Sequence, residues 1–369
     1  MQSAFDVGRV PLIVCFIEQK LRIAILEDLQ GAGCDGSRRK SKEGLVYRII
    51  GLLILFEATS CARENTVNDS NKGRGLGLEW SLNDGATFEA EAKMTMISTI
   101  APSKLSIIAR EHGAKFIESL IVNSLWKVIN VSSKAKGEVF MKCTRVQYAA
   151  TSDITKAVTY DSREGGSIGG QLGRTLTPLL NALSQLECTI TMSNLGIDMD
   201  DVLPGPVLQA ILRHTQNSEG LQAVVNGEAI KYLMFGCLPR FPKRGLDIGS
   251  EWECDRKLMQ SGNLTHCKQR FRCEKVVAEN GYSGVIIGLK EDLKSTETDD
   301  GGVGIKYLPR LGTGELRFDL LHGWISEMNQ RQEWDTEVIF VNGPPGKVAE
   351  TTSISCVFTP TGEAQSRQN

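Results

Sequence analysis

Hydrophobic residues recur at every second position through most of the chain beyond Leu78. The cleanest stretch is Thr87–Met96, where Phe88, Ala90, Ala92, Met94 and Met96 alternate with Glu89, Glu91, Lys93 and Thr95. A period of two puts the two sets on opposite faces of a strand, one dry and one wet, as in an antiparallel sheet. The segment Gly314–Leu320 repeats the device with Leu316, Phe318 and Leu320 against Glu315, Arg317 and Asp319. Cys188, Ile190 and Met192 share one face of a further strand. The pattern predicts others over 125–131, 138–148, 157–161, 251–258, 269–277, 283–289, 325–333, 337–341 and 351–358. Turn residues separate them, among them Asn83-Asp84-Gly85, Glu279-Asn280-Gly281 and Asn342-Gly343.

The period changes to helical between these runs. Leu176, Leu179, Leu180 and Leu183 are spaced for one helix face, and Val207, Leu208, Ile211 and Leu212 for another, with Pro204 and Pro206 suited to a helix start. The order of features also repeats. Leu82–Met94 matches Leu246–Leu258, each with a leucine, a glycine three positions on, and an aromatic that opens a strand. The expected fold is mainly β with a small helical part: two antiparallel-sheet modules related by a pseudo-repeat and capped by short helices. The modules are expected over 78–203 and 237–360, joined by a helical connection over 204–236, with a disordered tail over 361–369.

Upstream of this body two apolar runs stand out, Pro11–Ile17 and Ile49–Phe56. Neither reaches the roughly 20 apolar residues of a spanning helix. The second, however, follows Arg48 and leads into Ala58-Thr59-Ser60-Cys61, the layout of a short secretion signal ending in a cysteine for lipidation. Residues 44–61 are therefore expected to be a lipoprotein-type signal with Cys61 as the lipidated residue. Residues 1–43 then form a non-native or disordered extension, and the polar, glycine-rich 62–77 a tether. The alternative is a buried strand or short helix in a cytoplasmic protein.

The 369 residues suffice for two ordinary cores. Apolar content of 41% and charged content of 23% belong to a soluble globular chain. A net charge of -2 gives no basis for a nucleic-acid partner. Four histidines share no local motif, and no cofactor or metal is expected. The looping glycines of Gly73–Gly77 follow polar linker rather than a strand, and Gly343–Lys347 lacks phosphate-loop spacing. Cys254, Cys267 and Cys273 with His266 are too loosely spaced for a structural zinc site. They read as buried thiols, with a Cys254–Cys267 disulfide as the alternative in an oxidising compartment. The acidic runs Ile197–Val202 and Thr296–Gly302 lack the alternation of a calcium loop and read as solvated turns. No catalytic residue is assigned.

Several segments in order carry a likeness: "GEVFMKCTRVQYAA", "AVTYDS", the helix "LTPLLNALSQL", "ECTITMSNLGIDMDDV", Gly249–Trp252 and "GTGELRFDLLHGWISEM". Together, over about Leu78–Pro360, they make the chain similar to a family of bacterial envelope proteins, often lipoproteins, that is defined as a domain of unknown function. The resemblance implies an exported or anchored β-rich protein and supplies no active residues. The expected function is a noncatalytic envelope lipoprotein, held to the membrane through a lipid at Cys61, whose β modules bind a ligand or partner. A lipid or lipoprotein carrier with an apolar groove, and an envelope hydrolase with a site assembled from distant strands, are the alternatives.

Overall fold

The computed structural model describes residues 76, 78–101, 113–133, 136–153, 157–165, 177, 180–197, 238–243, 245–260, 263–279, 282–300, 303–340 and 346–361. The expected signal segment with Cys61 and the helical connection over 204–236 lie outside the described residues, as does nearly all of the tether and the tail.

Thirteen strands follow one another: β1 (Thr87–Ile100), β2 (Ala114–Ser133), β3 (Lys136–Ser152), β4 (Val158–Asp161), β5 (Glu187–Ser193), β6 (Gly196–Ile197), β7 (Glu251–Gln260), β8 (Asn263–Glu279), β9 (Tyr282–Asp292), β10 (Thr296–Asp300), β11 (Val303–Asp319), β12 (Trp324–Phe340) and β13 (Gly346–Pro360). All belong to one antiparallel sheet in the order β6-β5-β3-β2-β1-β13-β12-β11-β9-β8-β7, with β4 added to β3 and β10 to β11. The two modules expected from the sequence are thus not separate sheets. β1 pairs with β13 along thirteen residues, from Phe88 opposite Pro360 to Ile100 opposite Val348. That pairing joins the halves into one wall. The segments expected to be repeats lead into β1 and β7, which occupy different places: β1 lies mid-sheet and β7 at the end of the path.

A flat path of eleven strands would hold its edges about 48 Å apart. Here short segments tie the edges together. Phe241 N donates to Leu195 O (2.7 Å), beside β6. The adjoining Arg240 O accepts from Trp252 Nε1 (3.1 Å) on β7. The sheet therefore curls over on itself, and its even-numbered faces on β1, β2, β12 and β13 look into one interior. A single core runs from Ile190 on β5 through Met94, Cys356 and Phe318 to Trp252 on β7.

One end of that interior is filled by aromatic rings. Trp80 lies 5.4 Å from Trp324, 5.8 Å from Phe241 and 6.0 Å from Phe318, centroid to centroid. Trp324 also meets Phe88 at 4.1 Å and Trp126 at 6.4 Å. Mostly tilted or edge-on, these rings avoid face-to-face overlap of like quadrupoles. The segment around Trp80 is pinned at both sides, by Trp80 N donating to Asn194 O and Ser81 N donating to Gly323 O. Gly323 has a φ of 65°, and a Cβ there would lie 2.8 Å from Ser81 N, so this turn requires glycine. A helical turn over 180–184 puts Leu180 and Leu183 into the same core.

The outer wall is charged along its length. Glu89, Glu91 and Lys93 on β1, Lys268, Arg270 and Arg272 on β8, Arg317 on β11 and Arg331 on β12 are all exposed.

Candidate interior site

Above the aromatic plug the inward row changes character. Strand register places Glu118 of β2 opposite Met96, Met96 opposite Thr352, and Thr352 opposite Gln332. Gln332 lies opposite Gly312 of β11, and Glu291 of β9 opposite Gln269 of β8, which in turn faces Cys254 of β7. This belt runs from β2 across the inner face to β7. Glu118, Gln332 and Thr352 are each 1% exposed. Buried polar groups of this kind need partners, because their hydration has been removed.

Glu291 shows how part of the belt is satisfied. Gln269 Nε2 donates to its Oε1 at 3.0 Å, and Gln332 Nε2 donates to its Oε2 at 2.6 Å. The side chain reaches from β9 to β12 across β11, and Gly312 leaves the room. A Cβ on Gly312 would stand 2.8 Å from Glu291 Cβ. The carboxylate is thereby held by two amide groups inside the sheet, as a clamp joining β8, β9 and β12.

Other belt groups find no hydrogen-bond partner among the described residues. Gln330 Nε2, Trp334 Nε1, Thr336 Oγ1 and Thr352 Oγ1 are all buried without a hydrogen-bond partner. Gln330, Trp334 and Thr336 share the inward parity of β12 with Met328, and Thr352 shares that of β13 with Ile354. Beyond the belt lie two small apolar clusters, Ile100, Ala114 and Phe116 with Val348, and Tyr307 and Trp334 with Leu293. The interior thus runs from an aromatic plug, through a hydrogen-bonding belt, to apolar patches at the far end.

The cysteines take the apolar role. Cys143, Cys188, Cys254, Cys267, Cys273 and Cys356 are all free and buried. Cys254 faces Gln269 and Cys267 faces Arg256, so these two cysteines are offset by two residues rather than directly opposed. Burial raises the Cys188 thiol to about 12 and, against a backbone hydrogen bond with Arg145, the Cys143 thiol to about 11. Thiols so raised are poor nucleophiles at neutral pH. No group of three or more possible metal ligands occurs among the described residues.

A second polar cluster locks β4 onto β3. Arg145 donates from Nε to Asp161 Oδ1 at 3.1 Å and pairs more tightly through its terminal nitrogen. Gln147 Nε2 and Arg163 N also donate to the Asp161 carboxylate at 3.0 Å. The bond from Arg145, outweighing partial burial, brings the Asp161 carboxyl down to about 2. A folded value below the ordinary value of about 3.9 means that this cluster stabilises fully above about pH 4 and loses its effect as pH falls toward 2. Asp161→Asn is expected to lower the melting temperature at pH 7 and to match the wild type near pH 2. Circular dichroism melts across that range check it; a difference independent of pH would contradict the assignment.

The expected acidic turn at Thr296–Gly302 is corrected in part: Thr296–Asp300 forms β10, paired with Val303–Tyr307 of β11. Local patterning marks none of Glu118, Glu291, Gln330 and Gln332 as a site residue. Its one available signal was the break in alternation where a glutamate or glutamine stands at an inward position, as at Glu118, Gln330 and Gln332.

No protein-family model and no characterised protein matches the chain. Among solved structures, an outer membrane channel from Pseudomonas putida F1 aligns at 10% identity over 79% of this chain and 100% of its own, with a TM-score of 0.17. An acetoacetate decarboxylase-like enzyme from Sphingomonas wittichii RW1 aligns at 9% identity, 76% and 94% coverage and a TM-score of 0.10. The translocator domain of the autotransporter NalP from Neisseria meningitidis aligns at 8% identity, 74% and 89% coverage and a TM-score of 0.13. Likeness at these scores transfers neither fold nor activity. The class rests on the chain's own features: a mainly β protein whose single antiparallel sheet encloses an apolar core and a buried polar belt.

Proposed function

We propose that the chain is a binding protein that takes a small molecule into the interior of its curled sheet, against the polar belt. The observation that carries this reading is the set of four buried groups, on Gln330, Trp334, Thr336 and Thr352, that find no hydrogen-bond partner among the described residues. Leaving a buried donor unmet costs about 1–3 kcal/mol, so four together call for something to fill them. Glu291 supports binding over catalysis, because both its oxygens are already engaged by amides. Titrating the full chain with diphenylhexatriene tests the reading. Fluorescence is expected to rise and saturate at about one dye per chain, the occupancy of a single enclosed site. A rise that never saturates, or none, would contradict it.

The same proposal places the chain at a bacterial cell envelope, anchored through a lipid on Cys61. Arg48, the apolar run Ile49–Phe56 and the small residues before Cys61 support that address. Palmitate labelling of the expressed protein, lost on Cys61→Ala, is the expected result; equal labelling or none would remove the anchor. A second reading, a cytoplasmic protein, is favoured by the six free buried cysteines, since thiols persist most readily in a reducing compartment.

A further inference from the structure

We infer that the molecule held by the belt is neutral and elongated, an apolar skeleton carrying ester, ketone or ether oxygens. This rests on the interior-binding reading and specifies its ligand. The four unmet groups are an amide N–H, an indole N–H and two hydroxyls. The first two can only donate, so the atoms they meet must accept. None carries charge.

The charges around them narrow the class further. Glu118 and Glu291 lie in the belt itself, and no lysine or arginine is among the buried side chains described. An anionic headgroup brought there would lose its hydration and meet two carboxyl groups with no cation to receive it. A cationic ligand fits no better at Glu291, whose two oxygens are held by Gln269 and Gln332. Neutral oxygen acceptors remain.

Shape follows from spacing. Gln330 and Thr336 stand on one strand, and the six residues of rise between them span about 20 Å. Thr352 lies between them, opposite Gln332 on the neighbouring strand. Apolar surface accompanies the donors throughout: Ile354 opposite Gln330, the Tyr307, Trp334 and Leu293 cluster, and Val348 opposite Thr336. An extended molecule can therefore place oxygens against the donors while its carbon skeleton meets these side chains.

The test compares cis-parinaric acid methyl ester with free cis-parinaric acid at pH 8, each titrated into the full chain and followed by fluorescence. The two probes share one skeleton and differ at a single group. The ester is expected to bind about tenfold tighter than the carboxylate. Thr352→Val, which exchanges a hydroxyl for a methyl, and Gln330→Leu are each expected to weaken the ester about five- to tenfold. Melting temperatures check that each variant is folded, and Thr336→Val serves if Gln330→Leu is not. Equal or tighter binding of the acid would overturn the inference, as would ester affinity unmoved by the variants. Saturable diphenylhexatriene binding without preference for the ester would sink the ligand class alone. Failure of all three probes to bind would sink the interior site itself.

Discussion

Trp324→Ala is expected to lower the free energy of unfolding by about 3–5 kcal/mol, the range for deleting a large buried aromatic. Trp324 is 1% exposed and sits at the start of β12, where the plug gathers. Its ring lies 4.1 Å from Phe88, 5.4 Å from Trp80 and 6.0 Å from Phe358. Its Nε1 donates to Ser81 O at 3.0 Å, so truncation also frees the segment that closes the base. Around it stand residues from β1, β2 and β13 that cannot close the gap without moving the strands that carry them. Urea unfolding measures the change. Trp324→Phe should recover part of the loss by restoring ring contacts without the hydrogen bond. A loss below about 1 kcal/mol would mean that the plug does not hold the curl together.

The second large effect belongs to the clamp. Glu291→Leu removes the acceptor of two buried amide groups and leaves Gln269 and Gln332 unmet at about 1–3 kcal/mol each. The expected destabilisation is therefore about 2–5 kcal/mol. The triple variant Glu291→Leu, Gln269→Leu, Gln332→Leu is expected to recover most of it, because an apolar set of similar volume has nothing left unsatisfied. Urea midpoints of the single, double and triple variants form the test. If the triple variant is weaker than Glu291→Leu alone, the three side chains do not form one unit.

Most of the strands are legible in the sequence for a simple reason. Where every inward residue is apolar, as in β1 from Phe88 to Met96, the period of two is unbroken and the strand can be read directly. The first half of β2, Ala114–Ser124, escapes because Glu118 occupies an inward position and Ile117 and Ile121 an outward one. In β11, Pro309, Gly312 and Gly314 look like loop residues, and the strand reads only from its C-terminal half. A register shift between Pro309 and Leu311 is where the sheet accommodates the proline, and Gly312 is the gap through which Glu291 reaches. Two of the residues that hid these strands, Glu118 and Gly312, thus belong to the belt.

The single wall was less visible. Pairing of β1 with β13 joins residues separated by most of the chain, and no local signal records it. What the sequence does carry is the alternation on both strands, which fits two separate sheets as well as one. The choice is made by the aromatic plug. Trp80, Phe241 and Trp324 lie far apart in sequence, and their mutual burial requires both halves to close around a common interior.

Diffraction from crystals of the full chain grown with cis-parinaric acid methyl ester would address the belt most directly. Density is expected for an extended molecule along the inner faces of β12 and β13, with an oxygen about 3 Å from at least one of Gln330 Nε2, Trp334 Nε1, Thr336 Oγ1 and Thr352 Oγ1. An interior in which those four groups bond to one another or to neighbouring side chains, with the ester only on the outer wall, would contradict it.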